Sequence, residues 1–321
     1  MSEIDYFCYS LYSRGSLNAV SSRREFRGAL IRVNGGIGCL HPWPEFGDET
    51  IEVQLDFLRR NVSSKVIERA LRMAAVDGEA RKRGESLFKD LVVPPCHYSW
   101  DQNVPFEPQI EQVISEGWKA IKTKGWKDIA GVLKWLETFE KAVENSPLKL
   151  RIDFNSCLSE KEFRELLTNV PYNLRKRLDF VEDPFPYDPK TWSAMSAEMG
   201  VCLALDKQLR GANRGFNVAV LKPGRRDWRE MCDGLPANVR VVMTSAMDHA
   251  IGQSFAAWEA ATAWRELGGR LDLCGLSTQH LFAEDPFFKK LHAYGGILEV
   301  DRNGTGLGFD DVLNDLPWAR L

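Results

Sequence analysis

The chain has 321 residues, of which 44% are hydrophobic and 27% charged, with a formal net charge of -3 and a pI near 6.0. This is ordinary globular composition, enough for one α/β domain or a large domain with a smaller one, and it carries no electrostatic footprint for nucleic acid or an anionic membrane. No apolar run approaches the roughly 20 residues that span a bilayer, and the start M-S-E-I-D-Y-F has an acid where a signal peptide carries positive charge.

In chain order, Phe26–Val33 and Gly38–Pro42 flank an N-G-G turn and are predicted to pair as an antiparallel hairpin. Ile51–Leu58 and Ser64–Lys82 follow as helices, so residues 1–95 read as an α+β capping domain. From there the pattern changes. Strand-like runs recur at Cys96–Ser99, Trp118–Lys124, Leu148–Asn155, Leu178–Asp183, Val201–Asp206, Val218–Lys222, Arg240–Ser245 and Leu271–Leu276. Helical segments lie between most of them. Ile129–Glu144 repeats apolar residues at helical spacing, Ser159–Leu167 opens on the capping pattern S-E-K-E, and Ile251–Leu267 stops at Gly268-Gly269.

Alternating strands and helices imply parallel strands with crossover helices, and eight such strands suggest a closed (β/α) barrel over residues 96–285. A doubly wound open sheet satisfies the same alternation. The tail, residues 286–321, holds no further βα unit and is expected to pack back on the capping domain.

In a barrel the functional end is the C-terminal end of the strands. Strand three ends R-I-D-F-N, placing Asp153 there with Asn155 on the same face; strand four ends V-E-D-P, offering Glu182; strand five ends L-A-L-D-K, offering Asp206. Each acid alone reads as a cap for the following helix. Three at successive strand ends would repel one another unless a cation lay among them, and an all-oxygen set selects a hard divalent ion such as Mg²⁺. Lys122 and Lys124, two apart in A-I-K-T-K-G, share a face on strand two, and Lys222 ends strand six in V-L-K-P-G. Strands two and six are opposite in an eight-stranded barrel, so Lys124 and Lys222 would flank the acids. Taken singly, each lysine is an ordinary solvated surface residue. Taken together they suit removal of a proton α to a carboxylate, which needs a metal to neutralise the enediolate and a base close to the carbon.

The set K-T-K, R-I-D-F-N, V-E-D-P, A-L-D and L-K-P, in that order, resembles the enolase superfamily in its muconate-lactonizing subgroup, and within it looks most like the o-succinylbenzoate synthase family of menaquinone biosynthesis. The segment P-W-P-E-F-G-D-E-T-I-E is similar to that family's capping-domain loop, and C-G-L-S-T-Q-H-L-F to its eighth strand.

The resemblance implies a modified (β/α)7β TIM-like barrel with an N-terminal α+β capping domain. It implies Mg²⁺, with Mn²⁺ as an alternative ion, on Asp153, Glu182 and Asp206. Lys124 becomes the base that takes the α-proton and then protonates the departing hydroxide. Lys222 stabilises the enediolate, Lys122 and Asn155 support the base and the metal, and Arg151 and Ser245 are candidates for substrate contact. The substrate would be a small carboxylate, and both a monomer and a homo-oligomer stay open. Lys207-Gln208 stands where the family usually has Glu-Ser, and T-S-A-M-D-H where it favours a serine run followed by Glu-Ser, with Asp248 in the glutamate's place.

Other readings use other residues. His249 could pair with an Asp as a base, as in the mandelate racemase subgroup, or simply start a helix; His97 could line the mouth or pack. Trp43–Glu49 could close over the mouth, with Phe46 selecting the substrate. The same lysines would also serve racemisation of N-acylamino acids. Dipeptide epimerases usually carry D-x-D on strand eight, which C-G-L-S-T-Q lacks. A scaffold that has lost the chemistry is the third alternative. Seven cysteines, an odd number without C-x-x-C spacing, read as reduced thiols acting as small hydrophobes, which places the protein in the cytoplasm.

Overall fold

The computed structural model describes residues 3–17, 21–210 and 213–321; Met1 and Ser2, part of the N-terminal segment read for charge, lie outside the described residues. Three antiparallel strands open the chain: β1 (Ile4–Tyr12), β2 (Glu25–Val33) and β3 (Gly36–Leu40). The predicted hairpin is β2–β3. Asn34 and Gly35 both take positive φ, 50° and 84°, as the type I′ turn of a two-residue hairpin demands. Strand β1, for which the sequence reading had no element, pairs with β2 along its whole length from Ile4–Val33 to Tyr12–Glu25. The helices α1 (Ile51–Arg59) and α2 (Lys65–Lys82) cover one face. Glycine is required where α2 meets β3: a Cβ at Gly36 would lie 1.9 Å from the Ala74 carbonyl oxygen, and one at Gly38 2.2 Å from that of Ala70.

The second part is a parallel sheet of seven strands: β4 (Tyr98–Ser99), β5 (Ala120–Lys124), β6 (Lys149–Asp153), β7 (Leu178–Glu182), β8 (Leu203–Leu205), β9 (Val218–Leu221) and β10 (Arg240–Met243), each beside the next in chain order. Their helices are α3 (Phe106–Ser115) after β4, α4 (Ile129–Ala142) after β5, α5 (Glu160–Asn169) and the short α6 (Tyr172–Arg175) after β6, α7 (Pro189–Met199) after β7, α8 (Trp228–Cys232) after β9 and α9 (Ala250–Leu267) after β10. The capping pattern before α5 is a full capping box, with the Ser159 hydroxyl accepting from the Glu162 amide and the Glu162 carboxylate from that of Ser159. The apolar strand residues are buried on both faces, as parallel strands under crossover helices must be, and charged residues enter mainly at the strand ends and on the inward face of β5 to β7.

The eighth predicted strand, Leu271–Leu276, forms no continuous ladder. It still closes the sheet. The Cys274 carbonyl accepts from the His97 amide and the Cys274 amide donates to the Pro95 carbonyl, both at 2.8 Å, while on the other side Asp272 and Gly275 donate to Val241 and Met243 at 2.8 and 2.7 Å. The tail's last strand, Ala319–Arg320, pairs antiparallel with β1. Asp77 in α2 ties the tail down further, accepting from the amides of Ile37 and Leu307. Among the described residues no helix is long and apolar enough to cross a membrane. Cys39, Cys96 and Cys274 are buried free thiols, while Cys8 is exposed.

Candidate active site

Parallel register brings the strand-end residues to one level. Lys124 is the lateral partner of Asp153, and Asp153 of Glu182; Glu182 in turn pairs with Ala204, two residues before Asp206. Lys222 directly follows β9 on the far side. Lys122, Lys124, Asp153, Glu182, Asp206 and Lys222 all line one cavity of about 880 Å³ at the C-terminal end of the strands. The two lysines therefore bracket the three acids.

Each acid is held by an amine. Lys124 Nζ donates to Asp153 Oδ2 at 2.6 Å, and Lys222 Nζ donates to Asp206 Oδ2. Lys122 Nζ lies 2.6 Å from Glu182 Oε2 and 3.5 Å from Asp153 Oδ2. The contact with Glu182 is a close ion pair, so the Lys122 ammonium is the cation that this buried oxygen faces. Among the described residues, no group of three or more His, Cys, Asp or Glu side chains is already gathered around one point. The carboxylates face the lysines instead.

The charges are in conflict. Burial, reinforced by the Asp153 carboxylate, pushes Glu182 up to about 8, and burial with Asp206 pushes Asp183 up to about 7. Burial works against Asp153 too, but Lys124 and Lys122 outweigh it and hold the carboxyl below its ordinary value. Lys122 is held above its ordinary value: Glu182 and Asp153 overcome the burial that would lower it. A set of carboxylates lining one cavity, with only amines to offset it, fits a hard divalent cation in its donor chemistry, with Asp153, Glu182 and Asp206 as oxygen donors. Backbone strain gathers at the same rim. Asn155, Ser156, Asp183 and Met247 take positive φ of 53°, 61°, 40° and 52° just beyond β6, β7 and β10.

Asn155 lines the cavity, its amide donating to Asp153 Oδ1 at 3.0 Å. Ser245 also lines it, but its hydroxyl is engaged with Thr278 Oγ1 at 2.6 Å. Arg151 differs from expectation. Its side chain is fully buried a layer below the acids, bonded to Asp179 at 2.7 Å and to the Leu273 carbonyl and His97 Nδ1, so it belongs to the barrel floor and does not line the cavity. The alternation along β6 puts Arg151 on the same inward face as Asp153, but two residues lower, where the barrel is filled. His97 does line the cavity, its Nδ1 accepting from the Arg151 guanidinium. His249 is a helix start: its Nδ1 accepts from the Ile251 amide at the head of α9.

Asp183 was not among the candidates. Its buried carboxylate accepts from the amides of Asp206 at 3.3 Å and Lys207 at 3.1 Å, so it fixes the backbone that carries the third acid. The E-D pair in V-E-D-P was the available signal. Lys207 reaches back to the Asn155 carbonyl. Over the mouth, the Trp43 indole donates to the Ala246 carbonyl at 3.1 Å and Arg225 pairs with Asp48, while Phe46 stays exposed.

The chain is similar over its full length to a curated relative, o-succinylbenzoate synthase of Bdellovibrio bacteriovorus: 30% identity over 334 residues, covering 100% of this chain and 99% of the relative. The chain belongs to the o-succinylbenzoate synthase family. Residues 4–80 match the family model for the o-succinylbenzoate synthase N-terminal domain, which places the family's signature in the antiparallel sheet and its two helices. It is an enzyme of that family. The fold is shared with a mandelate racemase/muconate lactonizing protein from Herpetosiphon aurantiacus (TM-score 0.76, 18% identity, 96% of this chain and 97% of the other). It is shared as well with the dipeptide epimerase from Enterococcus faecalis, solved with Mg and the dipeptide L-Leu-L-Tyr (TM-score 0.75, 14% identity, 96% and 99%). The o-succinylbenzoate synthase family thus shares this barrel and cap with enzymes of other names.

Proposed function

We propose that this family member is a cytoplasmic, Mg²⁺-dependent hydro-lyase of menaquinone biosynthesis, forming 2-succinylbenzoate from 2-succinyl-6-hydroxy-2,4-cyclohexadiene-1-carboxylate. The observation that carries the reading is that Lys124 and Lys222, at the ends of strands either side of those bearing Asp153, Glu182 and Asp206, line one cavity with those three acids. Asp153, Glu182 and Asp206 would hold the metal, with Mn²⁺ as an alternative ion. When bound, Mg²⁺ supplies charge neutralisation at the substrate carboxylate.

The chain's own residues do the rest. Lys124, once free of Asp153 Oδ2 and having given its extra proton to solvent, takes the proton α to the carboxylate as the neutral amine; the resulting ammonium passes that proton to the departing hydroxyl on the same face, a syn elimination of water that returns the amine. Lys222, from the opposite side, keeps its ammonium toward the enediolate that develops. Lys122 holds Glu182 and Asp153 in place from below. The Asn155 amide holds the Asp153 carboxylate, and Asp183 fixes the backbone on which Asp206 sits.

The test is product formation with Mg²⁺ in wild type and Lys124→Ala. Formation of 2-succinylbenzoate by wild type and its loss in the variant support the reading. Exchange of the α-proton of N-acylamino acids in deuterated water without that product would make the enzyme a racemase, and neither reaction would leave a scaffold.

A further inference from the structure

The segment that carries Lys222 is fastened from the other domain. Lys222 lies at the end of β9, and its carbonyl accepts from the amides of Arg225 at 2.8 Å and Arg226 at 3.1 Å, closing a tight turn. Two arginines of that turn are tied elsewhere, Arg226 to the Leu209 carbonyl and Arg225 to Asp48, and Arg69 of α2 holds the turn's backbone: its side chain, in a residue only 8% exposed, donates to the Pro223 carbonyl directly after Lys222 and lies 3.8 Å from the Asp227 carboxylate at the turn's far end.

The guanidinium is itself anchored. Glu259 of α9 is completely buried; its Oε1 accepts from Arg69 at 3.3 Å and Arg72 at 2.9 Å, and its Oε2 from the Trp228 indole at 2.7 Å. One buried carboxylate therefore holds two cations from the N-terminal domain and the residue that starts α8. The same face of α2 supplies Val66 and Met73 to the cavity wall.

We propose that Arg69, locked by Glu259, is a positioning residue for Lys222: the N-terminal domain sets the place of the amine that faces the enediolate. This rests on the role of Lys222 proposed above. The physical reason is geometric. Lys222 Nζ sits on a four-carbon stem rooted just past the end of β9, so a rotation of the Pro223 peptide moves the amine relative to the acids, and displacements of about 1 Å at a reacting centre cost on the order of a hundredfold in rate. Only a planar fork can serve Pro223, Glu259 and Asp227 together, so Lys is not equivalent to Arg here.

The experiment compares Arg69→Met, Arg69→Lys and Glu259→Gln, each checked for folding by its thermal melt. Hydrogen exchange is followed by mass spectrometry on peptides covering residues 218–228, and kcat and KM are measured in wild-type and Lys222→Ala backgrounds. The expected result is faster exchange confined to that segment, a tenfold to hundredfold fall in kcat for Arg69→Met with KM changed less than threefold, a similar fall for Arg69→Lys, and no further fall when Arg69→Met is placed on Lys222→Ala. Unchanged exchange in the segment overturns the clamp. Faster exchange with equal kcat losses in both backgrounds overturns action through Lys222. A wild type that forms no 2-succinylbenzoate removes the functional reading, and the exchange data then judge the clamp alone.

Discussion

Two ionic layers lie inside the same barrel and behave oppositely. In the floor, Arg151 and Arg240 meet Asp179 and Asp272: Arg151 Nε donates to Asp179 Oδ2 at 2.7 Å, Arg240 Nη1 to Asp179 Oδ1 at 2.8 Å, and both guanidinium groups contact Asp272. Burial would raise Asp179, but Arg151 and Arg240 prevail and hold it below its ordinary value. Cations and anions match there, and the planar forks suit the carboxylates. Two residues higher, the acids sit close to one another, and burial with neighbouring carboxylates raises Glu182 and Asp183. Buried charge that is matched builds the scaffold. Buried charge that is left in conflict shifts its own protonation, which is the signature expected of a functional site.

Removing a residue from either layer sharpens the contrast. The largest effect is expected at the rim: Lys124→Ala should lower kcat roughly 10²–10⁴-fold, the usual worth of a positioned acid–base group, while the circular dichroism spectrum stays native. A variant with more than a tenth of wild-type turnover would place the base elsewhere. In the floor the loss should be one of stability. Arg151→Met leaves Asp179 and Asp272 sharing Arg240 and should cost about 3–5 kcal/mol in denaturant unfolding, as for a broken buried pair. An unchanged unfolding midpoint would mean that the floor is not structural.

Divalent metal should act on the rim alone. Mg²⁺ at a hundred times its dissociation constant should raise stability by about 2.7 kcal/mol in a melting titration, and Asp206→Asn should abolish most of that gain. Equal stabilisation of the variant would move the metal off the three acids.

A smaller, pH-dependent effect is expected on the cavity wall, where burial raises Asp248 to about 7 and leaves one oxygen without a partner. A raised carboxyl stabilises the fold below its unfolded value, near 4, and that contribution is lost as pH rises through about 7. Burial lowers His41 and His249 to about 3, so their contribution is lost in the other direction, as pH falls below about 6.5. Asp248→Asn should therefore gain on wild type between pH 4 and 8, by about 1–3 kcal/mol in urea midpoints converted to free energy, with the acid limb unaltered. A parallel pH profile would show that Asp248 titrates normally. The smallest change is expected from Phe46→Ala at the exposed lid: KM should rise about twofold to fivefold at constant kcat, and no shift in KM would remove Phe46 from substrate selection.

Much of this was legible in the chain. The βα alternation from Cys96 onward, the NG turn and the stop at Gly268 are local signals, and the structure uses each. The strand-end acids and lysines were legible because residues at the ends of parallel strands share one rim whatever the barrel's details. Strand β1 was passed over, although Ile4–Tyr12 is rich in the aromatic and β-branched residues that strands favour; its pairing with β2 and with the tail is non-local. Leu271–Leu276 read as a strand, yet it meets Pro95–His97, just ahead of β4, and the β10 segment only through isolated bridges and separated hydrogen bonds. Arg151 was misplaced because period two gives the face of a strand but not the height at which the barrel interior stops being core.

The sequence alone determined which residue types stand at which strand ends, because alternation and turn chemistry are local and survive any choice of packing. Only the tertiary structure decided which amine holds which acid, that Arg151 belongs to the floor, that Asp183 braces the third acid and that Arg69 of α2 reaches the Pro223 carbonyl directly after Lys222. Those are facts about depth and neighbourhood, and they are set by strand register and by the burial of charge, which no single segment contains.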